Sequence, residues 1–461
     1  MASFSRYAYK ALIKIIRSRN GTLLLVLMNV YLFIIMPFSW LYYDIRYYLE
    51  WVKIALSRGI EILFIKPPLS LFPFIMCIPP GILDIYTYAT KASYPPIPII
   101  LFITTHSIAT FFTNILPLVR IIDKLPLVIA FNVTYYILRK HYGWKTATFW
   151  ILGQYLFMTI YSYHTDLLVA MFLVLSYISY EKGNNILATI YLVLASMIKP
   201  IVVIIGLLYL LDLLRKEKYR DILTVLAVGL LTTLAILAPF LKNDPVSLIY
   251  KAFLFHTNRY PQEYSLWAIP IYVLNYDFTL IPPLLTWIWM PGYLLFLAYV
   301  LIHFWLKGFR EKHYLVKYII LVLLVTILCN KVGNPNYFTW VTPFIAIYAS
   351  LKDLLKDKYF VMLYILVSFL MVYVAPFTTF YTAFIVQKSV FIIEDLTYYS
   401  ATGLAQYSFD PYTIQYVVAE FFRTNLYWFF NLVYAGLNVS YILYTLIYNA
   451  YIIYLIKTFF K

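Results

Sequence analysis

The chain predicts an all-helical membrane protein, a polytopic bundle of about twelve to fourteen spans with an amphipathic helix in its first outer loop. Three observations lead there. Of 461 residues, 63% are hydrophobic and 12% charged, against ~45–50% and ~25% in soluble domains. The apolar residues fall in long runs. The charged residues fall in short clusters between those runs, and the clusters alternate between two kinds.

One kind is basic and chemically bland: Arg6 to Arg19, Arg139 to Lys145, Arg215 to Lys218, Lys307 to Lys317, and Lys352 to Lys358. Lys/Arg excess marks cytoplasmic loops, so these lie inside. The other kind mixes Asp, His, Arg, Asn, Pro and Tyr: Tyr42-Tyr43-Asp44, His164-Thr165-Asp166, His256 to Ser265, and Asn330 to Tyr337. These fall outside each time.

From a cytoplasmic amino terminus, Thr22–Leu41 is the first span; it carries no small-residue cleavage site, so it is read as uncleaved. Residues 42–61 (YYDIRYYLEWVKIALSRGIE) place apolar side chains at helical spacing among charges, which predicts an interfacial amphipathic helix. Ile62–Leu83 and Ile97–Val119, each opened by a proline pair, are two spans or two juxtamembrane or re-entrant helices. Leu125–Leu138 runs inward, Ala147–Ser162 out, and Leu167–Tyr180 back. Ile186–Ile198 and Ile201–Leu214 form a short pair with Lys199-Pro200 at its outer turn. Ile222–Leu241 goes out, Ile281–Trp305 in, Tyr318–Leu328 out, Thr339–Leu351 in, and Phe360–Ala375 out. A last span from Leu426 returns the carboxyl terminus inside. The domain division this predicts is a catalytic core over 1–376 and, over 377–461, an outer loop with a carboxyl-terminal helix.

The net charge of +16 is spread over loops facing one side, so it reads as topology and attraction to anionic headgroups and excludes a nucleic-acid partner. The two cysteines, Cys77 and Cys329, are far apart in apolar stretches and read as buried free thiols. The 48 Tyr, 35 Phe and 10 Trp exceed what two interfacial aromatic belts need.

The residues that carry chemistry cluster on the outer side. Asp44 sits within three residues of a span's outer end, where a carboxylate is costly to desolvate and is a functional candidate by default; its bland alternative is a solvated pair with Arg46. Asp166 is a second outer acid, with His164 beside it. Two such carboxylates would serve as general base and acceptor-positioning group. The sequence requires no cofactor, and the one candidate is a divalent cation held between the two acids. His256, Arg259 and Gln262 gather a cation, an imidazole and hydrogen-bond donors in one outer stretch, and Arg suits bidentate capture of phosphate. Lys199 and Lys331 are outward lysines, against the rule that keeps lysine inside. Singly, a snorkelling lysine is the commoner case. Together with two acids, these cations describe an anionic, phosphate-bearing ligand entering from the membrane. Walker A, GxGxxG, Ser-His-Asp and Cys/His metal patterns are absent.

In order along residues 30–350, WLYYDIRYYLEW, KPPLSLFPF or YPPIPIILF, DKLPLVIAFNVTYYILRK, YHTDLLVAMFLVLSY, MIKPIVVI, FHTNRYPQEYSLW and NPNYFTWVTPF resemble the GT-C superfamily of integral-membrane glycosyltransferases. That resemblance implies a GT-C-like fold and inverting transfer of a hexose, mannose being the first candidate. The donor would be a polyprenyl- or dolichyl-phosphate sugar lipid and the acceptor a lipid-linked glycan or protein. It implies that Asp44 is the base on the acceptor hydroxyl, Asp166 the second outer acid, and His256 and Arg259 contacts of the donor phosphate. The Asp-x-Asp pair of several members is not present. A transporter or lipid-linked-sugar flippase is the main rival; it calls for internal repeats and mid-span charges. A non-catalytic envelope subunit, in which both acids are dispensable, is the third reading.

Overall fold

The computed structural model describes residues 21–38, 42–60, 94–241, 245–249, 252–253, 261–274, 283–376 and 437–460. These are almost entirely helical. α1 (Gly21–Ile35) ends in a 3-10 turn, Met36–Phe38, and α2 (Tyr42–Arg58) follows. Next come α3 (Pro96–Phe112), α4 (Leu116–Tyr142), α5 (Trp144–Ile151), α6 (Tyr155–Tyr161), α7 (Asp166–Glu181), α8 (Asn185–Ser196), α9 (Ile204–Arg215) and α10 (Tyr219–Leu241). The chain continues through α11 (Trp289–Lys307), α12 (Tyr314–Cys329), α13 (Phe338–Leu351), α14 (Lys358–Phe369) and α15 (Leu437–Phe460).

Local chemistry sets several boundaries. Pro96 opens α3 at the first helical turn, where the missing N–H costs nothing. Gly143, at φ 86°, ends α4 and turns the chain into α5. Asn184 caps α8 by accepting from Leu187 N–H (3.0 Å), and Asp357 caps α14 by accepting from Tyr359 and Phe360 N–H.

Among the described residues three helical stretches, Tyr219–Leu241, Leu284–Lys307 and Asn438–Phe460, are long and apolar enough to cross a membrane. α10 and α11 keep most of their apolar side chains exposed, among them Leu223, Leu230, Leu231, Leu295 and Ile302. Helices that are apolar on their outer faces belong in hydrocarbon, so the chain is a membrane protein. The centre of the bundle is α7, α12 and α13, whose side chains are buried along nearly their whole length. α8 and α9 have 12 residues each, roughly 18 Å at 1.5 Å per residue. They form a short hairpin with Lys199-Pro200 at its tip.

Boundaries differ from the sequence expectation, and Ala147–Ser162, expected as one outward span, is divided between α5 and α6. The span expected to open at Leu125 begins at Leu116, and α4 runs unbroken through Pro126. Arg120, Asp123 and Lys124, which charge patterning sets outside the span, are buried within the helix.

The basic loops gather at one end of the bundle. Arg215 lies over the Phe309 ring (4.0 Å) and Lys216 over Tyr314 (6.0 Å). At the same end Asp212, fully buried, accepts from Tyr180 Oη (2.5 Å) and Tyr314 Oη (2.6 Å) and pairs with Lys216 (2.7 Å).

Candidate functional site

The end away from those basic loops holds a cavity of about 280 Å³. Four separate chain segments converge on it. His164, Thr165 and Asp166 come from the start of α7, and Lys199 and Pro200 from the tip of the α8–α9 hairpin. Gln262 and Glu263 come from a third segment, and Asn330, Lys331 and Asn334 from the loop after α12. Aromatic side chains complete the wall: Tyr48 of α2, Tyr94, Trp289, Tyr337 and Trp340.

Several of the polar groups have defined partners. Asp166, 1% exposed, accepts a hydrogen bond from Trp340 Nε1–H (2.7 Å). His164 Nδ1 bonds the Asn336 side-chain amide (2.7 Å). Lys199 Nζ sits 5.3 Å from the ring centres of both Tyr94 and Tyr337, within range for cation–π attraction. No carboxylate among the described residues pairs with it. Lys331 is more committed: it is 3% exposed, donates to Thr286 C=O (3.3 Å), and lies over the Trp289 ring (5.8 Å).

The third and fourth segments are stapled together. Gln262–Glu263 pairs in parallel with Val332–Gly333, and Gln262 N–H donates to Lys331 C=O (2.9 Å). Ser265 Oγ–H donates to Asn330 C=O (2.7 Å) and Trp267 Nε1–H to Cys329 C=O (3.0 Å). The approach is so close that a Cβ on Gly333 would lie 2.0 Å from Ser265 N, so only glycine fits. From the carboxyl-terminal helix, Asn449 Nδ2–H donates to Tyr264 C=O (2.9 Å), which ties α15 to this loop. Tyr163 (φ 53°) and Glu263 (φ 56°) border the cavity in left-handed backbone. Non-glycine residues adopt that region at a cost, and such strain concentrates at functional sites.

Of the residues singled out from sequence, His164, Asp166, Lys199, Gln262 and Lys331 line this one cavity. Asp44 and Arg46 lie in the first two turns of α2, but their side chains are outside the described set. Asp44 precedes the cavity-lining Tyr48 by one helical turn. His256 and Arg259 lie outside the described residues, as do Cys77 and residues 377–425. Cys329 is a buried free thiol. Among the described residues no group of three or more His, Cys, Asp or Glu side chains could hold a metal ion. Sequence reading placed Glu263 in the His256–Ser265 stretch without assigning it to the site, and missed the aromatic walls. In a chain with 48 tyrosines no single ring stands out, and only adjacency to the polar clusters, as in Asn336-Tyr337 and Trp340, marked them.

No family model matches the chain, and no curated protein matches it. Among solved structures, ArnT from Cupriavidus metallidurans, solved bound to undecaprenyl phosphate, superposes with a TM-score of 0.48 at 12% sequence identity. The match covers 94% of this chain and 76% of that one.

Proposed function

We propose that this protein is an integral-membrane glycosyltransferase of GT-C type. It would transfer a hexosyl group, mannosyl first among candidates, from a polyprenyl-phosphate donor to a lipid-linked glycan or protein acceptor on the non-cytoplasmic face. One observation carries the reading. Lys199, a cation with no carboxylate partner among the described residues, shares an aromatic cavity with the buried carboxylate of Asp166. A cation without an acid partner suits an anionic ligand, and rings suit the apolar faces of a sugar and its lipid. The topology of the charges supports the same side for the cavity, since the basic loops lie at the other end.

The chemistry divides among these groups. A lipid phosphate leaves as a stable anion and needs charge stabilisation more than a proton; Lys199 supplies it, with Arg259 and His256 as further phosphate contacts and Lys331 shaping the cavity floor. The acceptor hydroxyl has a high pKa and needs a base; Asp44 takes that proton as the oxygen attacks the anomeric carbon. Displacement from the face opposite the phosphate inverts that carbon. Asp166, fixed by Trp340, and His164, fixed by Asn336, orient the acceptor or the sugar hydroxyls.

The test is transfer of labelled sugar from synthetic polyprenyl-phosphate hexoses by the purified protein, with Asp44→Asn and Asp166→Asn in parallel. Sugar transfer with release of polyprenyl phosphate, lost in both variants, is the expected result. Normal transfer by Asp44→Asn would move the base role elsewhere.

A further inference from the structure

A second polar cluster lies apart from the cavity lining, buried where α4 meets the turn between α1 and α2. Arg120, Asp123 and Lys124 are all 0% exposed, and His106 is 4% exposed. His106 Nδ1 pairs with Asp123 Oδ2 (2.9 Å). Arg120 and Lys124 are four residues apart and therefore share a face of α4. That face meets the turn: Arg120 Nη1–H donates to Pro37 C=O (2.9 Å) and Lys124 Nζ–H to Met36 C=O (3.3 Å). These carbonyls end α1, where the last helical C=O groups have no intrahelical donor.

From sequence and geometry together, we propose that Arg120 and Lys124 are positioning residues that set the exit angle of the chain into α2 and so place Asp44. The inference rests on Asp44 being the base. Burying charge costs several kcal/mol per ion, and apolar side chains of similar size would stabilise a purely structural joint as well or better. These donors instead fix the direction of two specific carbonyls, seven and eight residues before Asp44. A second route runs through rings. His106 stacks on Phe102 (5.4 Å, 16°), and Phe102 packs on Tyr48 of α2 (5.1 Å). Tyr48 lines the cavity. The cluster thus bonds the turn that precedes α2 and, through Phe102, packs on the Tyr48 ring one turn beyond Asp44.

The test measures position separately from activity. Spin labels on Asp44→Cys and Val203→Cys, in a background carrying Cys77→Ala and Cys329→Ala, report the distance distribution by pulsed electron resonance in reconstituted membranes. Val203 is exposed, on the 3-10 turn that follows Lys199. The distribution should be narrow in this parent and should broaden and shift on adding Arg120→Gln. It should narrow again with Arg120→Lys, which restores a cationic donor. In the unlabelled protein Arg120→Gln should lower kcat ~100-fold, the scale expected for a misplacement of about 1 Å, while the donor KM stays unchanged. Lys124→Met, which removes the longer contact, is the milder lesion should Arg120→Gln fail to insert. A distribution that stays narrow in both variants overturns the proposal, even with stability or yield reduced. Broadening in Arg120→Gln combined with full transfer by Asp44→Asn would uphold the joint and reject Asp44 as the base, so the two failures are distinguishable.

Discussion

In the proposed function, Lys199 is the residue assigned to substrate charge recognition. Its ammonium group is held between two rings rather than by an acid, so its charge remains available to a phosphate. A charge-assisted contact to an anion is worth ~1.5–3 kcal/mol, and Lys199→Ala should therefore weaken donor use by about 10- to 100-fold. Titration of polyprenyl-phosphate sugar checks this, and Lys199→Arg should retain part of the affinity. Asp166 predicts a different pattern. Asp166→Asn keeps an oxygen able to accept from Trp340 Nε1–H, so thermal stability should hold while transfer is lost. Sequence reading found both residues because a charge at an outer helix junction is unusual enough to see. It missed Arg120, Asp123 and Lys124 because closely spaced charged residues read as a loop; the His106 partner of Asp123 and the Met36 and Pro37 carbonyls that take Lys124 and Arg120 accommodate them inside a helix.

At the scale of elements, the two-residue ladder between Gln262–Glu263 and Val332–Gly333 joins the two loops that form half of the cavity. Gly333→Ala would drive a Cβ into the Ser265 and Tyr264 backbone, which cannot swing aside as a side chain can. A loss of ~1–3 kcal/mol, typical of overpacking, should appear as a lower thermal midpoint together with a raised donor KM. The Asp212 knot at the other end serves as a control. Asp212→Ala strands two tyrosine hydroxyls and a lysine, each lost partner costing about 1–3 kcal/mol if it stays buried. The folded fraction should nevertheless transfer sugar at the normal rate, because the cavity is at the opposite end. Sequence showed the helices through their apolar runs and the α8–α9 hairpin through its shortness. It gave no sign of the ladder, since two residues are too few to show strand alternation. The tie from Asn449 to Tyr264 spans 185 positions and has no local signal at all.

Across the whole molecule, the alternation of charge clusters places basic loops and cavity at opposite ends of one helical bundle. Single cysteines introduced at Lys145, Glu217 and Asp353, in a background lacking Cys77 and Cys329, should react with membrane-impermeant thiol reagents only from the cytoplasmic side. A cysteine at the exposed Val203 should react only from the outside. Reaction of both sets from one side would reject the two-sided arrangement. The central claim is that the outer cavity transfers a sugar from a lipid phosphate, and it is tested most directly in proteoliposomes loaded with labelled polyprenyl-phosphate hexose. The account predicts that label leaves the lipid and appears covalently on an added acceptor, with polyprenyl phosphate released in equal amount and both products absent in Asp44→Asn. Intact donor moving between leaflets, with no sugar released and no effect of Asp44→Asn, would instead show a lipid carrier and contradict it.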